Sequence, residues 1–235
     1  MRFGEESREF IRFLEEWMEG LKPLVLKHVI PSPRETAVIS VDMINGFCHE
    51  GPLASPRVKE IIPDIVGLFK EAHKLGIQDF VLIQDTHSQD TPEFEAFPPH
   101  ATQSSRESET IPELSALSFS DLFTVIPKNS LHPAIGTSFD EWLGQHQDVQ
   151  TFIVVGNCTD LCVYNLALYL RLRANAFRLK DHQILLPGHC VQTYHLSVGD
   201  AKGMGALPHE GDFLNALFLY HMALNGIRVF SAISA

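Results

Sequence analysis

Gly156-Asn157-Cys158-Thr159-Asp160-Leu161-Cys162 joins an apolar run, Thr151-Phe152-Ile153-Val154-Val155, to a segment with helical spacing from Leu161 to Arg173. A short apolar run bounded by turn residues reads as a buried strand. The segment after it repeats apolar residues at Leu161, Val163, Leu166, Leu168, Leu170 and Leu172, with Thr159 or Asp160 placed to cap its first turn. Cys162 is therefore expected in the first turn of a helix that follows a central strand. There the unpaired N–H groups and the helix dipole favour a thiolate, the nucleophilic form. A buried structural cysteine satisfies the same local pattern.

Outward from this junction the chain alternates between strand and helix patterns. Residues 5–19 carry Phe10, Ile11, Leu14, Trp17 and Met18 on one helical stripe. A linker around Pro31 and Pro33 leads to a strand over 37–42, then to an apolar helix between Val58 and Leu75 closed by Gly76. A strand follows at 79–85. Residues 86–121 are polar and proline-rich without periodicity, and loops of that length are functional or disordered. Beyond them come a strand at 123–126, a helix at 139–145, a β segment from Phe177 to Leu186, a helix at 212–224 closed by Asn225-Gly226, and a strand at 227–233. The alternation predicts an α/β fold of three αβα layers, Rossmann-like, with a mainly parallel central sheet covered on both faces. Residues 1–30 read as an extra N-terminal helical extension and 31–235 as one domain.

Composition narrows the function classes. Hydrophobic residues make up 45% and charged residues 20% of 235, the balance of a globular chain with a full core. A net charge of −11, with no Lys/Arg cluster, argues against a nucleic-acid partner. No apolar run is long enough to span a membrane. The acidic, amphipathic start has no signal-peptide pattern, so the 4 cysteines read as reduced thiols of a cytoplasmic protein.

In open α/β sheets ligands bind outside the carboxyl ends of the strands. Those ends carry Asp42, Asp85, Lys128 and Cys162. A carboxylate to take the thiol proton, an ammonium to hold charge and favour the thiolate, and a thiol to attack a carbonyl together allow acyl transfer. Taken singly, Asp42 also reads as a turn residue and Lys128 as a solvated loop lysine. Asp85-Thr86-His87 places a carboxylate and an imidazole on one side of an extended segment. His100 would complete a 2-His-1-carboxylate set suited to Zn²⁺, Fe²⁺ or Mn²⁺, although with 12 histidines in the chain an Asp-x-His pair also arises by chance.

Taken together, Asp42-Met43-Ile44-Asn45-Gly46-Phe47-Cys48, Asp85-Thr86-His87 with Phe97-Pro98-Pro99-His100, Pro127-Lys128 and Gly156 to Val163 resemble the isochorismatase-like cysteine hydrolases over residues 36–233. The similarity is greatest to the nicotinamidase/pyrazinamidase branch, whose metal motif reads D-x-H … W-P-x-H and whose nucleophile motif reads G-V-A-T-D-x-C-V. Isochorismatases proper lack that cysteine. The resemblance implies a catalytic triad of Asp42, Lys128 and Cys162. It also implies a cis peptide bond between Asn157 and Cys158, an oxyanion hole from the N–H groups of Cys158 and Cys162, and a divalent metal, Zn first, on Asp85, His87 and His100. Phe47 and Phe97 match aromatic residues that sandwich a flat ring; Phe47 reads equally as core. Cys48 and Cys190 read as structural. The implied reaction is hydrolysis of a small-molecule amide, nicotinamide to nicotinic acid and ammonia, which feeds NAD salvage. The alternatives are another small amide or N-carbamoyl compound, or a non-catalytic binding member. A homo-oligomer is expected, since symmetric assemblies are common for such folds. The chain departs from the pattern at His100-Ala101-Thr102-Gln103-Ser104-Ser105, where the branch has H-C-x-x-G-T, and at Asn157 and Cys158, where it has Val and Ala.

Overall fold

A computed structural model describes residues 4–234, and its apolar runs form the middle of a parallel sheet. The strands are β1 (Leu24–Val25), β2 (Thr36–Val41), β3 (Asp79–Asp85), β4 (Phe123–Lys128), β5 (Thr151–Asn157), β6 (Gln183–Pro187), β7 (Val191–Gln192), β8 (Arg228–Phe230) and β9 (Ile233–Ser234). The helices are α1 (Glu5–Gly20), α2 (Leu26–Val29), α3 (Asn45–Cys48), α4 (Pro56–Glu60), α5 (Ile62–Lys74), α6 (Pro112–Ser115), α7 (Phe139–Gln145), α8 (Cys162–Ala176), α9 (Val198–Met204) and α10 (Gly211–Leu224).

The 7-stranded sheet runs β4-β3-β2-β5-β6-β8, all pairs parallel, with β7 beside β5 beyond the last β6 pairing. The chain winds outward from β2 through β3 to β4, then returns to lay β5 on the other side of β2. That reversal opens a crevice at the carboxyl ends of β2 and β5. Both strands are buried along their whole length, as the three-layer expectation requires. Side chains alternate between the two cores. Val38 joins Ile65, Leu68 and Phe69 of α5 on one face, while Ile39 and Val41 join Val163 and Leu166 of α8 and Leu219 of α10 on the other.

The N-terminal helix is present and packs on α10. Phe10, Phe13 and Trp17 surround Tyr220 with ring centroids 5.3–5.6 Å apart. β1 pairs with β9, and Leu26 is buried in the main core, so the extension is stitched to the domain it precedes.

Several boundaries differ from the sequence reading. The helix expected from Val58 to Leu75 is two, because Pro63 sits in the first turn of α5 and cannot continue a helix through that point. The β segment expected from Phe177 begins only at Gln183. Phe177 is the C-cap of α8, Arg178 takes a left-handed φ of 59°, and the Leu179 N–H returns to Ala174 O at 2.8 Å. The strand expected over 227–233 breaks after Phe230, and β9 leaves the main sheet to meet β1. Neither Thr159 nor Asp160 caps α8; the N-cap is Leu161, which has no capping group, and Asp160 is engaged elsewhere. Residues 86–121 fold over the sheet end through 3₁₀ turns and bridges, with His87 N–H donating to Ala101 O at 2.9 Å and Gln103 N–H to His87 O at 2.8 Å. Ser104, at the place of the branch's glycine, holds a left-handed φ of 65°.

Gly156 is the residue on which the central crevice turns. Its φ is +113°, and a Cβ there would lie 2.0 Å from Val41 O, on the neighbouring strand. Gly156→Ala is expected to cost at least about 4 kcal/mol, the range of strained and overpacked sites, or to abolish folding. Urea unfolding of the purified variant measures it, and a midpoint equal to wild type would contradict the close approach.

Candidate active site

Three strand ends and one helix start converge on a buried ammonium. Asp42 leaves β2 with a left-handed φ of 53°, which aspartate tolerates better than most residues. Its backbone N–H donates to Ile83 O at 2.9 Å, and its Oδ1 accepts the Asp85 N–H at 2.7 Å. Asn157 adds a bond from the other side, its Nδ2 donating to Asp42 O at 2.7 Å. Asp85 and Lys128 are register partners on β3 and β4. Lys128 Nζ therefore reaches the Asp85 carboxylate, lies 2.9 Å from Asp42 Oδ2, and stands 3.5 Å from Cys162 Sγ. A carboxylate oxygen of Asp42 lies within 4.8 Å of the Cys162 sulfur. Lys128 is 2% exposed, so it is not the solvated lysine its sequence context also allows.

The charges set each other's protonation. Burial and the nearby Asp85 charge push the Asp42 pKa up to about 6 against the pull of Lys128. Asp85 is lowered instead, because Lys128, His100 and His87 outweigh its burial. Burial works against the charge on Lys128, but Asp42, Asp85 and Cys162 raise its pKa well above the ordinary value. Cys162 differs from the sequence expectation. Burial, with Asp42 and Asp85, raises its pKa well above the ordinary value, and Lys128 only partly offsets them. Burial thus favours the neutral thiol at this sulfur.

The second cluster shares Asp85. One donor atom from each of Asp85, His87 and His100 lies within 4.8 Å of the others. The tautomers follow from acceptors that can only accept. His100 Nδ1 faces Pro98 O at 2.8 Å, and His87 Nδ1 faces Asn129 Oδ1 at 3.3 Å, an oxygen that also accepts the Ser88 N–H. Both Nδ1 atoms thus carry hydrogen, so the Nε2 atoms, 3.3 and 3.8 Å from Asp85, are the ones left to take a proton or a metal ion. His87 Nε2 is buried without a hydrogen bond, and Glu93 Oε1, also unbonded, stands 3.7 Å away. Two imidazole lone pairs and a carboxylate that converge in this way fit a divalent cation. A positive charge is what the site favours: burial opposes it on His87, yet Asp85 and Glu93 raise that pKa. Asp42, Asp85 and Cys162 also cluster, but Lys128 already supplies their cation.

The remaining expected residues are nearby. The Asn157–Cys158 peptide is cis. Cys162 is the first residue of α8, so its N–H has no intrahelical partner. Phe47 and Phe97 lie against His100, with ring centroids at 5.5 and 6.4 Å; Phe47 is buried and Phe97 half-buried. Cys48 and Cys190 are buried, and burial raises both thiol pKa values, that of Cys48 to about 12, consistent with structural thiols. Sequence reasoning missed Asn129, whose only signal is its place next to Lys128, and Glu93 and Phe94, which lie in a stretch without periodicity, the Phe94 ring centroid 5.5 Å from that of His87. It also missed the anchoring of Asp160 by Thr193 and His209, contacts no local pattern announces.

A strand-end Cys–Asp–Lys cluster beside a histidine–carboxylate set on this sheet marks a class of α/β hydrolases. The Isochorismatase domain family matches residues 36–197, and the chain belongs to that family. Its similarity runs to the nicotinamidase branch: it is 28% identical to nicotinamidase 1 of Arabidopsis thaliana over 91% of each chain. The fold is shared with a pyrazinamidase of Pyrococcus horikoshii in complex with zinc, at TM-score 0.63, 21% identity, and coverage of 83% of this chain and 98% of that one. It is shared equally with an N-carbamoylsarcosine amidase from Thermoplasma acidophilum, at TM-score 0.63, 21% identity, and coverage of 83% and 95%.

Removing the ammonium leaves two buried carboxylates facing one another. Lys128→Met, which keeps the side-chain length, is expected to lose about 3–5 kcal/mol in urea unfolding at neutral pH, as for other broken buried ion pairs. An unchanged midpoint would mean that Lys128 is not the counter-charge of Asp42 and Asp85.

Proposed function

We propose that this hydrolase is a metal-assisted cysteine amidohydrolase that converts a small amide, nicotinamide foremost, to its carboxylic acid and ammonia. The observation that carries the reading is the buried cluster in which Cys162 Sγ lies 3.5 Å from Lys128 Nζ and within 4.8 Å of an Asp42 carboxylate oxygen. The similarity to a protein named nicotinamidase supports the substrate. The changes at Ala101, Ser104, Asn157 and Cys158 keep open a second reading, another small amide or an N-carbamoyl compound.

In this reading Cys162 gives its proton to Asp42 as the sulfur forms a bond to the amide carbonyl carbon. Lys128 stays charged beside both groups and stabilises the developing thiolate. The carbonyl oxygen becomes an oxyanion received by the N–H groups of Cys158 and Cys162. As the C–N bond breaks, Asp42 returns the proton to nitrogen and ammonia leaves. Asp42 then takes a proton from water as its oxygen attacks the thioester. The C–S bond breaks, the acid is released and the thiol is restored. Phe47 and Phe97 would bracket a flat ring held next to His100. A divalent cation on Asp85, His87 and His100, zinc by preference, would supply an electrophilic anchor for a ring nitrogen, directly or through water.

Ammonia release from nicotinamide tests this. Cys162→Ala is expected to lose at least about a thousandfold in kcat, as for other covalent nucleophiles, and exhaustive chelation is expected to raise KM steeply, with activity restored by added Zn²⁺. The Asp42 pKa of about 6 gives a sign for pH: below it Asp42 is protonated and cannot accept the thiol proton, so kcat/KM falls as pH drops through about 6. Turnover by Cys162→Ala would sink the covalent mechanism. A silent wild-type chain whose Cys162 is still acylated by an activated ester would discard nicotinamide alone.

A further inference from the structure

Asp160 lies midway between the two oxyanion donors, two residues after Cys158 and two before Cys162. Its side chain turns away from α8. Asp160 Oδ1 accepts the Thr193 hydroxyl at 2.6 Å, and Oδ2 faces His209 Nε2 at 2.7 Å. The imidazole is held at its other nitrogen too, Nδ1 lying 2.9 Å from Tyr194 O, and its ring stacks on Tyr194 at 3.8 Å and 17°. All three polar side chains are buried: Thr193 is 0%, Asp160 8% and His209 8% exposed. The segment that supplies them is itself pinned. Leu196 and His209 exchange backbone hydrogen bonds of 2.7 and 2.8 Å, which close the neck of the excursion carrying α9. Arg57 holds Thr193 O and Gln192 Oε1 at 3.1 Å each, and the Thr159 N–H donates to Gln192 O at 3.2 Å.

A buried carboxylate with two charge-assisted bonds is a rigid anchor. The turn needs one, because its helix has no side-chain cap: Leu161 is the N-cap, with φ −117° and ψ −100°, and only backbone bonds from the Leu161 and Val163 N–H groups to Cys158 O at 3.1 Å tie it locally. We propose that Asp160, Thr193 and His209 form a positioning triad that aligns the N–H groups of Cys158 and Cys162 for the oxyanion, without touching the substrate. The proposal rests on the cysteine mechanism above, but not on nicotinamide as substrate. It assigns to a histidine far along the chain a part in transition-state stabilisation that the nucleophile itself does not need.

Two reactions of one sulfur separate that role from a structural one. Acylation by p-nitrophenyl acetate forms the C–S bond through a tetrahedral oxyanion and expels p-nitrophenolate. Alkylation by iodoacetamide displaces iodide at a saturated carbon and forms no oxyanion. Both rates are measured at Cys162 in the full chain at one pH, with Cys162→Ala subtracted, for wild type, His209→Ala and Thr193→Val. Misaligned donors are expected to slow acylation about tenfold in His209→Ala and about threefold in Thr193→Val, a fraction of what deleting a donor costs, while alkylation stays within about twofold. Thr193→Val, nearly isosteric, decides the matter if His209→Ala does not fold. Equal losses in both reactions, or unchanged acylation, would overturn the proposal. So would a wild-type Cys162 whose ratio of acylation to alkylation is no greater than that of free cysteine. Failure of wild type to release ammonia from nicotinamide leaves this comparison standing and counts only against the substrate.

Discussion

The Lys128 ammonium, buried between Asp42, Asp85 and Cys162, is the interaction on which the rest of the site depends. Each partner comes from a different strand end or helix start, so their meeting requires the parallel register of the sheet. Asp85 and Lys128 are direct register partners, and Asp42 follows Val41, whose own partner is Ile83. Two carboxylates at this depth repel strongly in a low dielectric unless a cation stands between them. The charge pattern and the strand alignment are thus one constraint, and a slip in register would bury unpaired charge.

Asp85 connects the two halves of the site. Its carboxylate meets Lys128 on one side and the two imidazoles on the other. Lys128 above all, with the two imidazoles, keeps it ionised, whereas burial and the Asp85 charge raise Asp42 to about 6. Two neighbouring carboxylates are thereby given different proton affinities by environment, one held ionised and one raised toward neutral pH. The thiol completes the arrangement, its pKa raised by burial and by the same two carboxylates against the pull of Lys128.

The turn from β5 into α8 brings the backbone into this chemistry. Gly156 allows contact with Val41, Asn157 reaches across to the Asp42 carbonyl, and Asp160 ties the helix start to Thr193 and His209. Asn157 and Cys158 are departures from the family pattern. The first adds a hydrogen bond to the backbone of Asp42, so the change alters how Asp42 is held.

The layers, the parallel sheet and the strand ends bearing Asp42, Asp85, Lys128 and Cys162 were legible in the sequence, because buried strands are continuous apolar runs and polar residues stand out where those runs stop. The Asp85-Thr86-His87 pair was legible for a similar reason, since alternation in an extended segment is a local rule. Other features are long-range and leave no local trace. The orientation of each imidazole depends on Pro98 O and Asn129 Oδ1, the anchor of Asp160 lies 33 and 49 residues away, and β9 pairs with a strand at the other end of the chain. The groups that raise the Cys162 pKa, its burial and two carboxylates from other strands, likewise have no signal in the local helix pattern. Local spacing determined which groups the chain offers at its strand ends. Only tertiary packing decided their charges, since those depend on depth and on partners that the sequence does not place side by side.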